Sequence, residues 1–238
     1  MLQLKILFRN AFHNKLRSGL TILGITVAVL AFGLLRTVIG AWYAGVEAAS
    51  ASRLVTRNAI SIIFPLPIAY NEKIRQIEGV KLVSYGNWFG GIYIDEKNFF
   101  PNFCVEPRTY MAIYPEFVLS PPEKKAFLAD RKGFVAGRKL AARFGWKIGD
   151  TVTLKGTIFP GNWDFVLRGV YRGRDETIDE TQFLFHWDYL NETMKRVTPR
   201  RADQVGFYMI AVARPDLSSD VALAVDRAFK NSLAETLT

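Results

Sequence analysis

One stretch decides the architecture of this chain before any other is read. Ser18 to Val46, SGLTILGITVAVLAFGLLRTVIGAWYAGV, runs for twenty-nine residues with Arg36 as its only charge. A helix rises about 1.5 Å per residue, so roughly 20 residues cross a hydrocarbon layer of ~30 Å. Gly19 to Ile39 is long enough on its own. We read 18–46 as a transmembrane helix, with everything after it held on one side of a bilayer. A cleaved signal peptide is the rival reading, and Ala49-Ser50-Ala51 offers a small-residue cleavage site. That site lies well beyond the apolar core, which itself exceeds the usual ~7–15 residues of a signal sequence.

The flanks orient the span. Lys5, Arg9, Lys15 and Arg17 precede it, whereas the stretch after it, Glu47 to Ser52, is acidic or small until Arg53 and Arg57. Cationic residues stay on the cytosolic side, which puts the N-terminus in the cytosol and the C-terminal part outside. Lys15 and Arg17 then mark one membrane interface, and Trp42 and Tyr43 sit where an aromatic belt marks the other. Arg36 either snorkels toward that second interface or faces a helix partner. Gly24, Ala28 and Ala31 share one helix face, and small residues in such a stripe let two membrane helices pack closely. Ahead of the span, residues 1–17 form an amphipathic helix, with Leu4, Leu7, Phe8, Ala11 and Phe12 opposed by Lys5, Arg9 and Asn10. A helix lying among headgroups and a cytosolic helix packed on a partner both satisfy that pattern.

Net charge is +9, but the four cations before the span belong to membrane orientation. What remains is a mildly basic outer part, weak grounds for nucleic acid, and no nucleic-acid partner is expected. A single cysteine, Cys104, excludes an internal disulfide framework, and no Cys/His spacing suits zinc.

Beyond the span the periodicity alternates between strand and helix. Ala59 to Phe64 is β-branched and predicts a strand; Tyr70 to Glu78 predicts a short helix with Ile74 and Ile77 inward, closed by Gly79. Strands are expected through Val80 to Asp95, around a Gly90-Gly91 turn, and again at Phe99 to Val105. Pro107 to Pro122 reads as irregular, and a subdomain boundary is placed there. Next come a strand at Phe134 to Ala136 and a helix at Arg138 to Phe144 with Leu140, Ala141 and Phe144 inward. A Gly149-Asp150 turn leads into an alternating strand, Thr151 to Leu154. Phe165 to Tyr171 and Gln182 to Trp187 follow as strands, which suggests a curled sheet or small barrel. Val205 to Ala213 is an apolar strand, and Asp216 to Leu237 a closing helix. The fold class is α+β: one transmembrane helix, then a mixed α/β extracytoplasmic domain with an inserted β-rich subdomain. The boundaries are 1–17, 18–46, 47–106 together with 203–238, and 107–202 for the insert.

Motifs of bond-breaking chemistry are missing. Gly133-Phe134-Val135-Ala136-Gly137-Arg138-Lys139 has glycines and cations but not the spacing of a phosphate loop. There is no G-x-S-x-G elbow and no H-E-x-x-H, and His13 and His186 have no nucleophile near them in sequence. Asp175, Glu176, Asp179 and Glu180 lack the alternation and central glycine of a calcium loop and read as a solvated turn. Lys195, Arg196, Arg200 and Arg201 form a basic cluster suited to headgroups, an acidic partner or plain solvent. Tyr85 to Gly91 either exposes aromatics to a ligand or packs them in the core around a turn. No catalytic residue, metal or cofactor is expected.

Asn14-Lys15-Leu16-Arg17-Ser18-Gly19-Leu20-Thr21-Ile22-Leu23-Gly24-Ile25 resembles the opening of permease subunits of macrolide-exporter and lipoprotein-release ABC transporters, the MacB/FtsX-like permeases. The likeness continues in Ile74 to Val80, Val135-Ala136-Gly137 before a helix, Lys147 to Leu154, and Phe165 to Val170. It implies the N-terminal portion of a permease at the cell inner membrane, with a periplasmic domain split into a discontinuous porter-like part and an inserted β-rich part. It further implies a permease dimer, homo- or heteromeric, a separate ATPase subunit whose movement reaches the outer domain, and a periplasmic adaptor as a further partner. Members of that family carry three more spans after the outer domain, and this sequence stops before them, which reads as a fragment or a short version. The competing reading is a single-pass membrane-anchored ligand-binding or sensor protein; a tethered enzyme has least support.

Overall fold

The computed structural model describes residues 14–50 and 52–238. The amphipathic helix expected over 1–17 lies almost wholly outside them. The described chain divides into two compact units, 1–49 and 50–238.

Among the described residues the first unit is formed by the helix α1 (Lys15–Ser50), whose last residue falls in the second unit and within which Lys15–Ile39 has the length and composition to cross a membrane. Its large apolar side chains, from Leu20 to Ile39, are exposed. Two of its hydroxyls bond within the helix: Thr21 Oγ1 donates to the Arg17 carbonyl and Thr37 Oγ1 to that of Gly33, both at 2.9 Å. Each such bond lowers the cost of placing a hydroxyl in a hydrocarbon layer.

The second unit is an α+β domain built on one large mixed sheet. In chain order it contains β1 (Arg53–Asn58), β2 (Leu66–Pro67), α2 (Tyr70–Arg75), β3 (Val80–Trp88), β4 (Gly91–Ile92), β5 (Asn102–Val105), α3 (Pro107–Ile113) and β6 (Phe117–Val118). There follow α4 (Pro121–Ala129), β7 (Gly133–Gly137), α5 (Arg138–Phe144), β8 (Thr151–Gly156), β9 (Gly161–Gly173), β10 (Phe183–His186) and α6 (Trp187–Val197). The chain ends with β11 (Gln204–Val205), β12 (Phe207–Val212), α7 (Ser218–Ala228) and β13 (Thr236–Leu237). Strand order is β13-β1-β12-β3-β5-β10-β7-β9-β8-β4. The sheet runs unbroken across the boundary drawn at Pro107, through the parallel pairing of β5 with β10, Cys104 opposite Phe185.

Alternation along the strands sorts side chains onto two faces. Phe183 and Phe185 of β10 join one core with Phe134, Phe165, Cys104, Tyr208 and Ile210, covered by α2, α5, α6 and α7 through Ile74, Leu140, Leu190 and Val225. Leu184, between them, joins the opposite core with Val135, Val105, Met209 and Tyr171, covered by Tyr110, Met111 and Phe127 of α3 and α4. The sheet also curls back on itself. β4 sits at its far end, paired with β8 through Gly91–Gly156 and Ile92–Lys155, yet β4 begins only three residues after β3 ends. β3 and β4 together therefore close a ring through β5, β10, β7, β9 and β8, as the alternating strands led one to expect. Asn102, fully enclosed, fastens the joint: its Oδ1 accepts from the Gly91 amide (2.7 Å) and its Nδ2 donates to the carbonyls of Gly91 (3.0 Å) and Phe100 (2.9 Å). Phe89, buried in that joint, meets Phe159, Trp163, Phe165 and Phe185 with centroids 5.1–6.1 Å apart.

Several expectations are corrected. Ala59 to Phe64 is a turn and not a strand; the strand is Arg53–Asn58 before it. The amide of Ile60 donates to Asn58 Oδ1 and that of Phe64 to the Ser61 carbonyl, so local bonds replace a ladder. Pro107 to Pro122 is not irregular, because Pro107 and Pro121 stand at helix starts, where the missing N–H costs nothing. The last helix ends at Ala228, and Thr236–Leu237 returns to pair with β1. There Asp226 accepts from Thr236 Oγ1 (3.0 Å) and from the Thr238 amide (3.2 Å). α6 was not foreseen at all.

Candidate functional site

The predicted membrane residues fall as follows. Lys15 and Arg17 are exposed in the first turn of α1; Gly24, Ala28 and Ala31 are exposed on its apolar stretch, with nothing within 4 Å of a Cβ placed on Gly24. Trp42 and Tyr43 belong to α1, and their side chains lie outside the described residues. Residues of the acidic cluster are held apart by different tasks. Asp175 and Asp179 cap their own turns through Thr177 and Thr181. Glu180, read from sequence as solvated, is in fact buried: it takes the Gly173 amide (3.0 Å) and the Arg138 guanidinium (3.0 and 3.2 Å). The Gly173 amide, aided by Arg138 and opposed by burial, holds its carboxyl below the usual range. Among the described residues no cluster of His, Cys, Asp and Glu could hold a metal.

The recess with most site character lies elsewhere, between the 59–65 turn, the end of β3, β5, the β8–β9 loop and the segment leading into β12. Its volume is about 690 Å³, within the roughly 300–1,000 Å³ of small-molecule sites. One wall is aromatic: Trp88 meets Phe103 edge-on at 5.0 Å, and Phe103 meets Phe207 at 6.0 Å. Gly86 makes that row continuous. A Cβ there would fall 3.2 Å from Phe207 Cζ and 2.5 Å from the Cys104 carbonyl oxygen, so only glycine lets the Phe207 ring cross β3. The facing wall is Ile62 and Ile63, exposed on the turn, with Ile158 and Phe159.

Three polar side chains line this apolar space, of which Gln204 spends its Nε2 on the Arg200 carbonyl (3.1 Å). Asn87 is 7% exposed, and its side-chain oxygen is sealed from water without a partner. A buried amide left so costs about 1–3 kcal/mol. Arg201 lays its guanidinium 5.2 Å over the Phe159 ring and donates to the Ile158 carbonyl at 2.6 Å. Among the described residues no carboxylate pairs with it, whereas Lys195 of the same basic cluster is taken by Glu192 (3.2 Å) and Asp203 (3.5 Å). The sequence signal for this site was thus half visible. Within Tyr85 to Gly91, Phe89 packs the core, as one of the two readings has it, and Trp88 lines the recess. Nothing in sequence joined it to Ile62, Phe159 or Phe207.

Residues 50–238 share the fold class of MacB-like periplasmic core domains. The chain is similar to the extracellular domain of the noncanonic ABC-type transporter YknZ from Gram-positive bacteria, at 10% identity, TM-score 0.56, covering 78% of this chain and 98% of that one. It is similar also to the periplasmic region of MacB from Actinobacillus actinomycetemcomitans, at 10% identity, TM-score 0.54, covering 78% and 87%. A domain of a protein described as a permease from Porphyromonas gingivalis matches at 13% identity, TM-score 0.50, covering 79% and 89%. No protein-family model and no curated protein matches the sequence. The α+β class and the MacB-like fold implied by the opening motif are therefore shown, at the level of fold.

Proposed function

We propose that this chain is the N-terminal portion of an ABC exporter permease. It spans the cell inner membrane with its N-terminus cytosolic and passes ATPase-driven motion to a periplasmic domain that acts on substrate or partner. The observation that carries this is the pairing, in one chain, of a membrane-length helix with an α+β domain folded like the outer domains of YknZ and MacB. α1 runs continuously to Ser50 and β1 begins at Arg53, so a displacement of the span has only a two-residue link before it reaches the central sheet. On this reading ATP hydrolysis belongs to a separate subunit and permeases pair as homo- or heterodimers. A periplasmic adaptor is a further partner of the outer domain, whose inserted part is 107–202. Lys15, Arg17, Trp42 and Tyr43 lie at the membrane interfaces, and Gly24, Ala28 and Ala31 form a packing face.

Affinity purification of the full chain from its native membranes tests the proposal: an ABC ATPase should co-purify. A periplasm-dependent alkaline phosphatase fused after Thr238 should be active. A cytosol-dependent reporter active at that position overturns the orientation, and purification without any ATPase favours the single-pass ligand-binding reading, which the recess at Trp88 supports.

A further inference from the structure

We infer that the recess between Trp88, Phe207 and Ile63 is a binding site for a small acidic amphiphile: an aromatic or branched apolar body carrying one hydrogen-bonding group and one anionic group. The inference holds for either functional reading, because it concerns the outer domain alone.

Three features select that class. The first is shape and chemistry of the wall. A space of about 690 Å³ enclosed by Trp88, Phe103, Phe159, Phe207 and the isoleucines of the 59–65 turn favours an apolar body of drug or short-lipid size. The second is Asn87. A side-chain amide on a central strand, 7% exposed and with its oxygen unpartnered, is an unusual thing for a folded domain to keep. Rotation of the amide exchanges its oxygen and nitrogen, so it serves a ligand donor or acceptor equally. Asn87 lines the recess with Gln204 and Arg201 among otherwise apolar residues, so a turn of its amide toward the recess would let a guest's polar group pair with it. The third is Arg201. Its guanidinium is held in place by the Ile158 carbonyl and the Phe159 ring and has no carboxylate pair among the described residues. It stands at the edge of the apolar space, where an anionic head would gain a charge-assisted bond. Two nearby cations of the sequence cluster are otherwise engaged: Lys195 by two carboxylates and Arg196 through its Nε by the Glu192 carbonyl.

Gly206 supplies a clean block. A Cβ placed there meets its nearest atom, Asn87 Cα, at 3.4 Å, an ordinary contact, and its backbone is not in the left-handed region. Gly206 is a lining residue with room for a Cβ, so Gly206→Leu adds a bulky apolar side chain at the recess. Ile62→Ser with Ile63→Ser removes the facing wall at two positions that are already exposed.

The test uses the full chain in phosphatidylcholine nanodiscs, with empty discs subtracted, and two fluorescent probes. 1-Anilinonaphthalene-8-sulfonate has the apolar body, an N–H and an anion; N-phenyl-1-naphthylamine has the first two only. Both should bind saturably to the wild type. Gly206→Leu should weaken both by tenfold or more, and the Ile62/Ile63 double variant by threefold or more, with near-ultraviolet circular dichroism unchanged. Arg201→Gln should weaken the sulfonate probe at least threefold and leave the neutral probe unaffected. Absence of saturable binding to wild type, or equal binding by the wild type and both wall variants, overturns the site. Equal weakening of the two probes by Arg201→Gln overturns the anionic part. None of these readouts depends on an ATPase, so a failed co-purification and a failed titration are separate results.

Discussion

Gly137 lies so close to Glu180 that a Cβ on it would fall 2.1 Å from the Glu180 carbonyl oxygen. The contact is not incidental. The Gly137 amide donates to the Gln182 carbonyl at 3.0 Å, the Leu140 amide to Glu180 at 3.1 Å, and the Arg138 guanidinium grips the Glu180 carboxylate. The glycine that ends β7 is thus the point where the chain from β9 passes over the start of α5. Gly137→Ala should cost on the order of 3 kcal/mol or more, since backbone on both sides must move. A urea midpoint followed by tryptophan fluorescence measures this, and a loss below about 1 kcal/mol would show that the crossing yields.

His186 is buried at the end of β10, where Nε2 donates to the Phe127 carbonyl at 2.7 Å and the ring meets Phe127 edge-on. Burial lowers its pKa from the usual value, although the Phe127 carbonyl and the charges of Asp188, Asp130 and Glu106 pull the other way. The unfolded chain then takes the proton first as pH falls, so stability contributed by the neutral ring is present above about pH 6.5 and declines from there toward the lower folded value. Melting temperatures across pH 7.5 to 5.5 should fall, and His186→Gln should flatten that slope; an unaltered slope would assign the acid sensitivity to another group.

Cys104 is enclosed in the sheet, and burial raises its thiol far above the ordinary value. Without thiolate it cannot attack an alkylating reagent. Maleimide should leave the native protein unlabelled and label it stoichiometrically in concentrated guanidinium. Rapid native labelling would mean that β5 opens readily.

Small residues at Gly24, Ala28 and Ala31 leave a shallow track on α1. Leucine at Gly24 and Ala28 should weaken span association at least several-fold, read as energy transfer between donor- and acceptor-labelled chains in nanodiscs. Unchanged transfer would remove that face from any dimer.

Legibility in the sequence followed how local the signal was. The span, the strands at Thr151 and Phe165 and the helix at Arg138 were readable because their periods are clean and their glycines stand at the turns. Ile60, Ile62 and Ile63 misled because β-branched residues imply a buried strand, whereas here they stand exposed on a turn. Pro107 and Pro121 are ambiguous in sequence because a proline that breaks a helix and one that begins it look alike; the Ser120–Glu123 capping box is the local signal that marks Pro121 as a beginning. α6 escaped because Trp187, Leu190 and Met194 are spaced among charged residues. The recess was invisible for a different reason: its lining comes from segments far apart in the chain, and only the curl of the sheet assembles them.

That curl also imposes an order of assembly. β8 and β9 are neighbours along the chain and pair with little loop entropy lost, whereas Gly91 must wait for Gly156 to be in place before β4 has anything to join. Closure of the ring at Trp88–Gly91 therefore follows formation of the β8–β9 hairpin, and the wall formed by Trp88 is completed only when the ring is shut. Hydrogen exchange during refolding should accordingly find the β8–β9 amides protected before the Gly91 amide held by Asn102.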